Sequence, residues 1–132
     1  MTGRMTKGRP TRRICLALDL VDDAELIADY ERWHRPGEAP VEIVRSIHEA
    51  GIANMEIYRA GNRLFMIIDA EAEYSDETKA KADAANPHVQ KWIALMQRFQ
   101  QPIPAAGPDG TWMAMDCIYR LTDHLVFHAI AR

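Results

Sequence analysis

The segment that most limits what this chain can fold into is residues 52–71, where two strand-like runs, IANMEIY and RLFMIIDAE, are joined by Arg59-Ala60-Gly61-Asn62. Glycine and asparagine accept the positive φ that tight hairpin turns need, so the middle of the chain is committed to an antiparallel pair. The flanking segments say what else the sheet must hold. Residues 14–21 (ICLALDLV) set Ile14, Leu16, Leu18 and Leu20 on one face and Cys15, Ala17, Asp19 and Val21 on the other, the pattern of a strand covered on both sides. Asp22 and Asp23 offer an N-cap and a negative first turn to a helix through AELIADYERWH, which Pro36 and Gly37 stop. A second helix starts near Pro40 with Val44 and Ile47 on its apolar stripe and Gly51 as its C-cap. A third runs from about Ser75 to Ala85 and breaks at Asn86-Pro87. The fourth, HVQKWIALMQRF, gathers Val89, Trp92, Ile93, Met96 and Phe99 on a wide apolar face. QPIPAAGPDG is a loop, and TWMAMDCIYRL alternates as a last strand.

The order β-α-α-β-β-α-α-β is the split β-α-β plan. It predicts an α+β, ferredoxin-like domain with a four-stranded antiparallel sheet in which strands one and four are neighbours. Helices cover one face of such a sheet. The other face is mixed, with Phe65 and Ile67 opposite Met66 and Ile68, and a second copy of the chain is the economical cover. The expected assembly is therefore a homodimer, a dimeric α/β barrel.

A chain of 132 residues is the size of one domain with one core. Residues 1–12 read as a flexible basic leader carrying Arg4, Lys7, Arg9 and Arg12, residues 13–121 as the domain, and residues 122–132 as a C-terminal extension. The net charge of −3 gives no field that collects phosphates, so nucleic acid is not an expected partner. No run is long and apolar enough for a membrane span and no secretory signal is visible, which points to the cytoplasm. Cys15 and Cys117 each sit in an apolar run, suggesting buried thiols instead of a disulfide or a zinc site. His124 and His128 are four apart but lack a third ligand, so no metal site is expected.

The chemistry-bearing constellation is on the first helix. Ile27, Tyr30 and His34 fall at i, i+3 and i+7, so a phenol and an imidazole share one side of the cylinder. His34 lies near the helix C-terminus, where the dipole favours imidazolium and moves its titration toward neutral pH. Helical spacing alone leaves open whether the pair packs, binds or catalyses. A non-catalytic ferredoxin-like module binding a small ligand and a cofactor-free monooxygenase on a similar barrel both accommodate it.

A Y-x-x-x-H helix after the first strand, a following proline, a helix ending in Ala-Gly, a strand ending Ile-Tyr, a Gly-Asn turn into LFMII, then NPHVQKW and CIYRL, together resemble the L-rhamnose mutarotase family over residues 13–121. The resemblance implies a cofactor-free isomerase that interconverts the α and β anomers of a 6-deoxy-L-sugar by acid-base ring opening and closure. It implies His34 as proton donor, Tyr30 as a sugar contact and Trp92 as a pocket wall. Met55 stands where many relatives carry Tyr, Ile93 where they carry the second Trp of a pair, and Pro40-Val41 where they carry Trp-Pro, with Glu42 retained. MEIYRAGNRLFMII and WIALMQRFQQP are more similar to relatives regarded as L-fucose mutarotases. L-Rhamnose and L-fucose differ in hydroxyl orientation, so the contacts that read hydroxyls carry the choice, and Glu42, Asn54, Glu56 and Tyr58 are the expected readers beside Met55 and Ile93.

Overall fold

The computed structural model describes residues 10–125. Most of the basic leader, and His128 of the tail, lie outside the described residues. Strand β1 (Thr11–Leu20) leads through a cap at Asp23 into α1 (Ala24–Trp33), then α2 (Val41–Glu49). The hairpin β2 (Ile52–Ala60) and β3 (Arg63–Glu71) follows, then α3 (Asp76–Ala85) and α4 (Pro87–Met96). Two short strands, β4 (Gln100–Gln101) and β5 (Met113–Ala114), flank a 3₁₀ turn at Pro104–Ala106.

Local chemistry sets these boundaries. The Asp23 carboxylate accepts from the amides of Glu25 and Leu26, both at 3.0 Å, satisfying two donors that the helix start leaves open. Asn86 does the same for α4 through His88 and Val89 at 3.0 and 3.4 Å, with Pro87 occupying the first turn. Gly61 turns the hairpin at φ +61°. Ala60 then faces Arg63 and the ladder runs back to Ile52 and Ala70, with a bulge between Ile52 and Asn54.

The sheet is antiparallel in the order β2-β3-β1-β4, with β5 also paired to β1. This is the ferredoxin-like arrangement expected from the sequence, and the expected neighbours, first strand and last, do meet. The last strand itself is much shorter than its alternation suggests. Only Met113 and Ala114 pair with Ala17 and Leu16, and the backbone leaves the sheet after the Met115 amide donates to the Cys15 carbonyl at 2.8 Å. The residues beyond it are exposed, Ile118 at 94% and Tyr119 and Leu121 as well. Strand β1, by contrast, begins at Thr11, three residues before the apolar alternation, because β3 extends to Glu71 and supplies partners for Thr11–Arg13. Helix α4 stops at Met96, yet Phe99 still reaches the core from the turn that follows.

Two apolar clusters lie on the helix-covered face. One joins Leu20, Tyr30, Leu64, Met96 and Phe99; the other joins Ile52, Ile68, Ala70 and Tyr74. Strand residues of even number on β1 and β3 point into this layer. On the opposite face the buried Asp19 carboxylate is held by the Arg63 guanidinium at 2.8 and 3.2 Å, and Asp69 meets Arg13 at 3.3 Å. Those strand acids are therefore spent on ion pairs outside the site. Asp116 is exposed, and Arg120 approaches Asp123 at 3.8 Å.

Candidate active site

Between the two clusters the helices stand off the sheet and leave a cavity of about 350 Å³, a size ordinary for small-ligand sites. Its floor is the sheet, through Leu16, Met55, Ile57, Met66 and Ile68. Ile43 and Ile47 of α2 form one wall, and Trp92, Ile93 and Met96 of α4 form another, with Trp112 of the late loop beside them. The polar groups reaching it are few: Tyr30, His34, Ser46, Lys79, Asp83 and Gln100. A mostly apolar cavity with a handful of placed polar groups orients a ligand through those groups.

Tyr30 and His34 converge as their spacing predicts, with ring centroids 4.3 Å apart and planes tilted by 32°. Trp92 presents its ring roughly edge-on to His34 at 5.7 Å and to Trp33 at 6.0 Å. The end of α1 that carries the pair is tied to β2 by the Arg59–Glu31 ion pair at 2.6 Å. Sequence and packing thus fix the imidazole from both sides.

The protonation pattern follows from the hydrogen bonds. His34 Nδ1 lies 2.7 Å from the Tyr30 carbonyl, one helical turn back. A carbonyl only accepts, so Nδ1 carries the hydrogen and Nε2 keeps its lone pair when the ring is neutral. The imidazole is open to solvent at the cavity mouth, but Tyr30 and Trp92 crowd it closely enough that burial lowers its pKa below the usual 6.5; the bond to the Tyr30 carbonyl opposes this with less effect. The helix terminus was expected to favour imidazolium, and here loss of hydration wins. Burial pushes the Tyr30 phenol up to about 12, with a side-chain hydrogen bond from Gln100 acting weakly the other way. Tyr30 is a neutral hydroxyl at physiological pH, a donor that can orient a ligand oxygen.

Tyr30, His34, Met55, Trp92 and Ile93 all line the cavity. Tyr58 does not. It lies opposite Phe65 in the ladder, while its neighbour Ile57 lies opposite Met66, so alternation turns Tyr58 to the far face. There it is 54% exposed and donates to Glu56 at 2.9 Å, with Asn54 exposed on the same side. Glu42, in the first turn of α2, is not among the lining residues either. Gln100, Ser46, Lys79, Asp83 and Trp112 are lining residues that the sequence did not single out; an i, i+4 Lys–Asp pair on a polar helix carries no mark of facing inward. Cys15 is half-buried and Cys117 exposed, both as free thiols, and His124 stacks on Tyr119 at 4.9 Å. Among the described residues no group of three or more His, Cys, Asp or Glu side chains is placed to hold a metal ion, and no helix is long and apolar enough to cross a membrane.

Comparison with known proteins gives this geometry a lineage. An L-fucose mutarotase of Xanthomonas campestris pv. campestris is 46% identical over 112 residues, covering 85% of this chain and 90% of its own. A UPF0734 protein of Dictyostelium discoideum is 34% identical over 109 residues, covering 80% and 86%. The crystal structure of an L-rhamnose mutarotase from Formosa agariphila superposes with a TM-score of 0.59 over 83% of this chain and 97% of that one, at 16% identity, a likeness of fold. The sequence model of L-rhamnose mutarotase matches residues 13–121, which hold all of the sheet but the first two residues of β1, together with α1 to α4. On that match, and on the identity to the Xanthomonas protein, the chain belongs to the L-rhamnose mutarotase family and is an isomerase.

Proposed function

We propose that the protein interconverts the α and β anomers of a 6-deoxy-L-hexose, L-fucose ahead of L-rhamnose, with His34 moving the proton. The observation that carries this reading is the imidazole at the mouth of an apolar cavity, its Nδ1 engaged by the Tyr30 carbonyl and its Nε2 without a hydrogen-bond partner among the described residues. The anomeric oxygen O1 and the ring oxygen O5 are bonded to the same carbon, so one nitrogen serves both. Neutral Nε2 takes the proton from the O1 hydroxyl; the imidazolium so formed donates it to O5 as the C1–O5 bond breaks and C1=O1 forms. The open-chain carbonyl turns, and the ring closes on its other face by the same steps reversed, returning the proton to O1. No net redox change occurs and the base is regenerated. General acid-base catalysis of this kind contributes about 100- to 10,000-fold. Trp92 offers an aromatic face or edge for the apolar side of the ring, and the Tyr30 hydroxyl holds a sugar oxygen.

The preference for L-fucose is supported by the 46% identical Xanthomonas relative and by Met55 and Ile93 in the cavity, apolar where Tyr and Trp were expected of L-rhamnose enzymes. Anomer exchange measured side by side on the two sugars is expected to be faster with L-fucose. Equal or reversed rates would return the substrate to L-rhamnose.

A pH prediction follows from the direction of the His34 shift. The free protein must hold His34 neutral, so kcat/KM should rise with pH through a midpoint below 6.5 and stay flat above it. The stability linkage has the same sign: the folded state binds fewer protons, so this contribution is complete above the unfolded pKa and declines as pH falls through the folded one. Exchange rates from about pH 4.5 to 8.5, roughly two units either side of the histidine reference value, measure the midpoint. A midpoint above that reference would contradict the assignment.

The homodimer also remains a proposal, supported by the exposed run of Ile118, Tyr119, Leu121 and Leu125 and by Phe65 and Ile67 on the far face of the sheet. Light scattering on the full chain should give twice the 15.0 kDa mass; a monomer at micromolar concentration would exclude it.

A further inference from the structure

We propose that the Lys79–Asp83 ion pair of α3 is the hydroxyl-reading element of the cavity, binding a cis-diol of the sugar and setting which 6-deoxy-L-hexose is accepted. The inference rests on the sugar-mutarotase reading above and assigns specificity to residues on a different helix from the proton carrier.

Helix α3 buries no side chain fully. What it turns inward is this pair: Lys79 Nζ lies 2.5 Å from the Asp83 carboxylate, and the two side chains are only 24% and 19% exposed. Its outward counterpart on the same helix, Lys81–Glu77, is looser at 3.5 Å and almost fully solvated at 78% and 80%. Both Lys79 and Asp83 line the catalytic cavity, and both also line the polar groove behind it, which is bordered by His48, Glu49 and Thr78. The pair is therefore the partition where an otherwise aliphatic wall, Ile43, Ile47 and Ile68, gives way to charge.

A lysine ammonium has three donors and a carboxylate about four acceptor sites. The mutual bond uses one of each, and among the described residues no other hydrogen bond or ion pair engages either side chain. Two N–H donors and several lone pairs remain. Each hydroxyl of a gauche vicinal diol can donate to the carboxylate and accept from the ammonium, and its two oxygens are spaced at about a hydrogen-bond length. Such groups in a mostly buried wall discriminate, because a ligand lacking the hydroxyl leaves them unpaired. Each sugar also has a trans-diequatorial pair of the same oxygen spacing, but only its cis-diol includes an axial hydroxyl, O4 of the C3–C4 pair in L-fucose and O2 of the C2–C3 pair in L-rhamnose. With C1 fixed at His34, one fixed ion pair meets the two diols at different places, so its position selects between the sugars while the aliphatic wall accepts the C6 methyl.

The test compares L-fucose, L-rhamnose and 4-deoxy-L-fucose with the wild-type protein and with Lys79→Met, Asp83→Asn and Lys79→Arg, by anomer-exchange NMR and thermal melting. The wild type is expected to lose about tenfold or more in kcat/KM on the 4-deoxy analogue. Lys79→Met and Asp83→Asn should lose about as much on L-fucose, mainly through KM, and should no longer distinguish L-fucose from its 4-deoxy analogue; Lys79→Arg should restore part of the discrimination. Folded variants with the wild-type KM and unchanged sugar preference would overturn the inference. If the variants do not fold, the analogue decides alone: a wild type indifferent to the missing hydroxyl overturns it. A wild type that accelerates none of the three sugars removes the mutarotase reading itself, an outcome distinct from a failure of Lys79 and Asp83.

Discussion

Replacing His34 with alanine is expected to slow protein-catalysed anomer exchange by about 100- to 10,000-fold, the usual worth of a positioned acid-base group. The loss should appear in kcat, because Trp92, Tyr30 and the aliphatic walls proposed to bind the sugar remain. The fold should survive. The imidazole is solvent-open at the cavity mouth, and its hydrogen bond to the Tyr30 carbonyl contributes about 1 kcal/mol. Circular dichroism and a melting curve close to wild type, together with exchange near the buffer rate, would match this account. A folded His34→Ala protein with full activity would remove histidine from the mechanism.

Phe99→Ala carries the largest expected effect on stability, a loss of about 4 kcal/mol. Phe99 is only 1% exposed and packs edge-on against Tyr30 at 5.9 Å, within the cluster that also holds Leu20, Leu64 and Met96. Alanine would forfeit the ring's burial and leave a void that the surrounding strands cannot close. Against a total stability of about 5 to 15 kcal/mol for a domain, that lowers the melting temperature by roughly 12 to 20 °C. Urea denaturation of the two proteins measures it. A change under about 1 kcal/mol would mean the cluster repacks. Because Phe99 supports Tyr30, activity should also fall at temperatures where the variant is still folded.

Much of the fold was legible because its strongest signals are local. The Gly61-Asn62 turn, the Asp23 cap, the helix break at Asn86-Pro87 and the period-two alternation of β1 and β3 each depend on neighbours a few residues away, and each is found as read. The last strand was over-read because alternation at Met113–Leu121 requires a covered face, and cover is a tertiary fact. The Tyr30–His34 pair was legible for the same reason as the cap: four residues on one helix fix a direction. Its electrostatics were not, since the balance between helix terminus and crowding depends on Trp92, which is distant in sequence. Tyr58 illustrates the converse. On a strand, a shift of one residue changes the face, and only the pairing of Ile57 with Met66 decides that Tyr58 looks away from the cavity. Gln100, Lys79 and Asp83 carry ordinary polar spacing, and only the docking of β4 and α3 against the cavity gives them a role.

The central claim is that this protein accelerates anomer exchange of a 6-deoxy-L-hexose without consuming it. Exchange NMR on an equilibrated L-fucose solution tests it most directly, by saturating the H1 signal of one anomer and following its transfer to the other. The account predicts a transfer rate that grows linearly with protein concentration, leaves the α:β ratio unchanged and vanishes with His34→Ala. A rate independent of protein concentration for both L-fucose and L-rhamnose would contradict it.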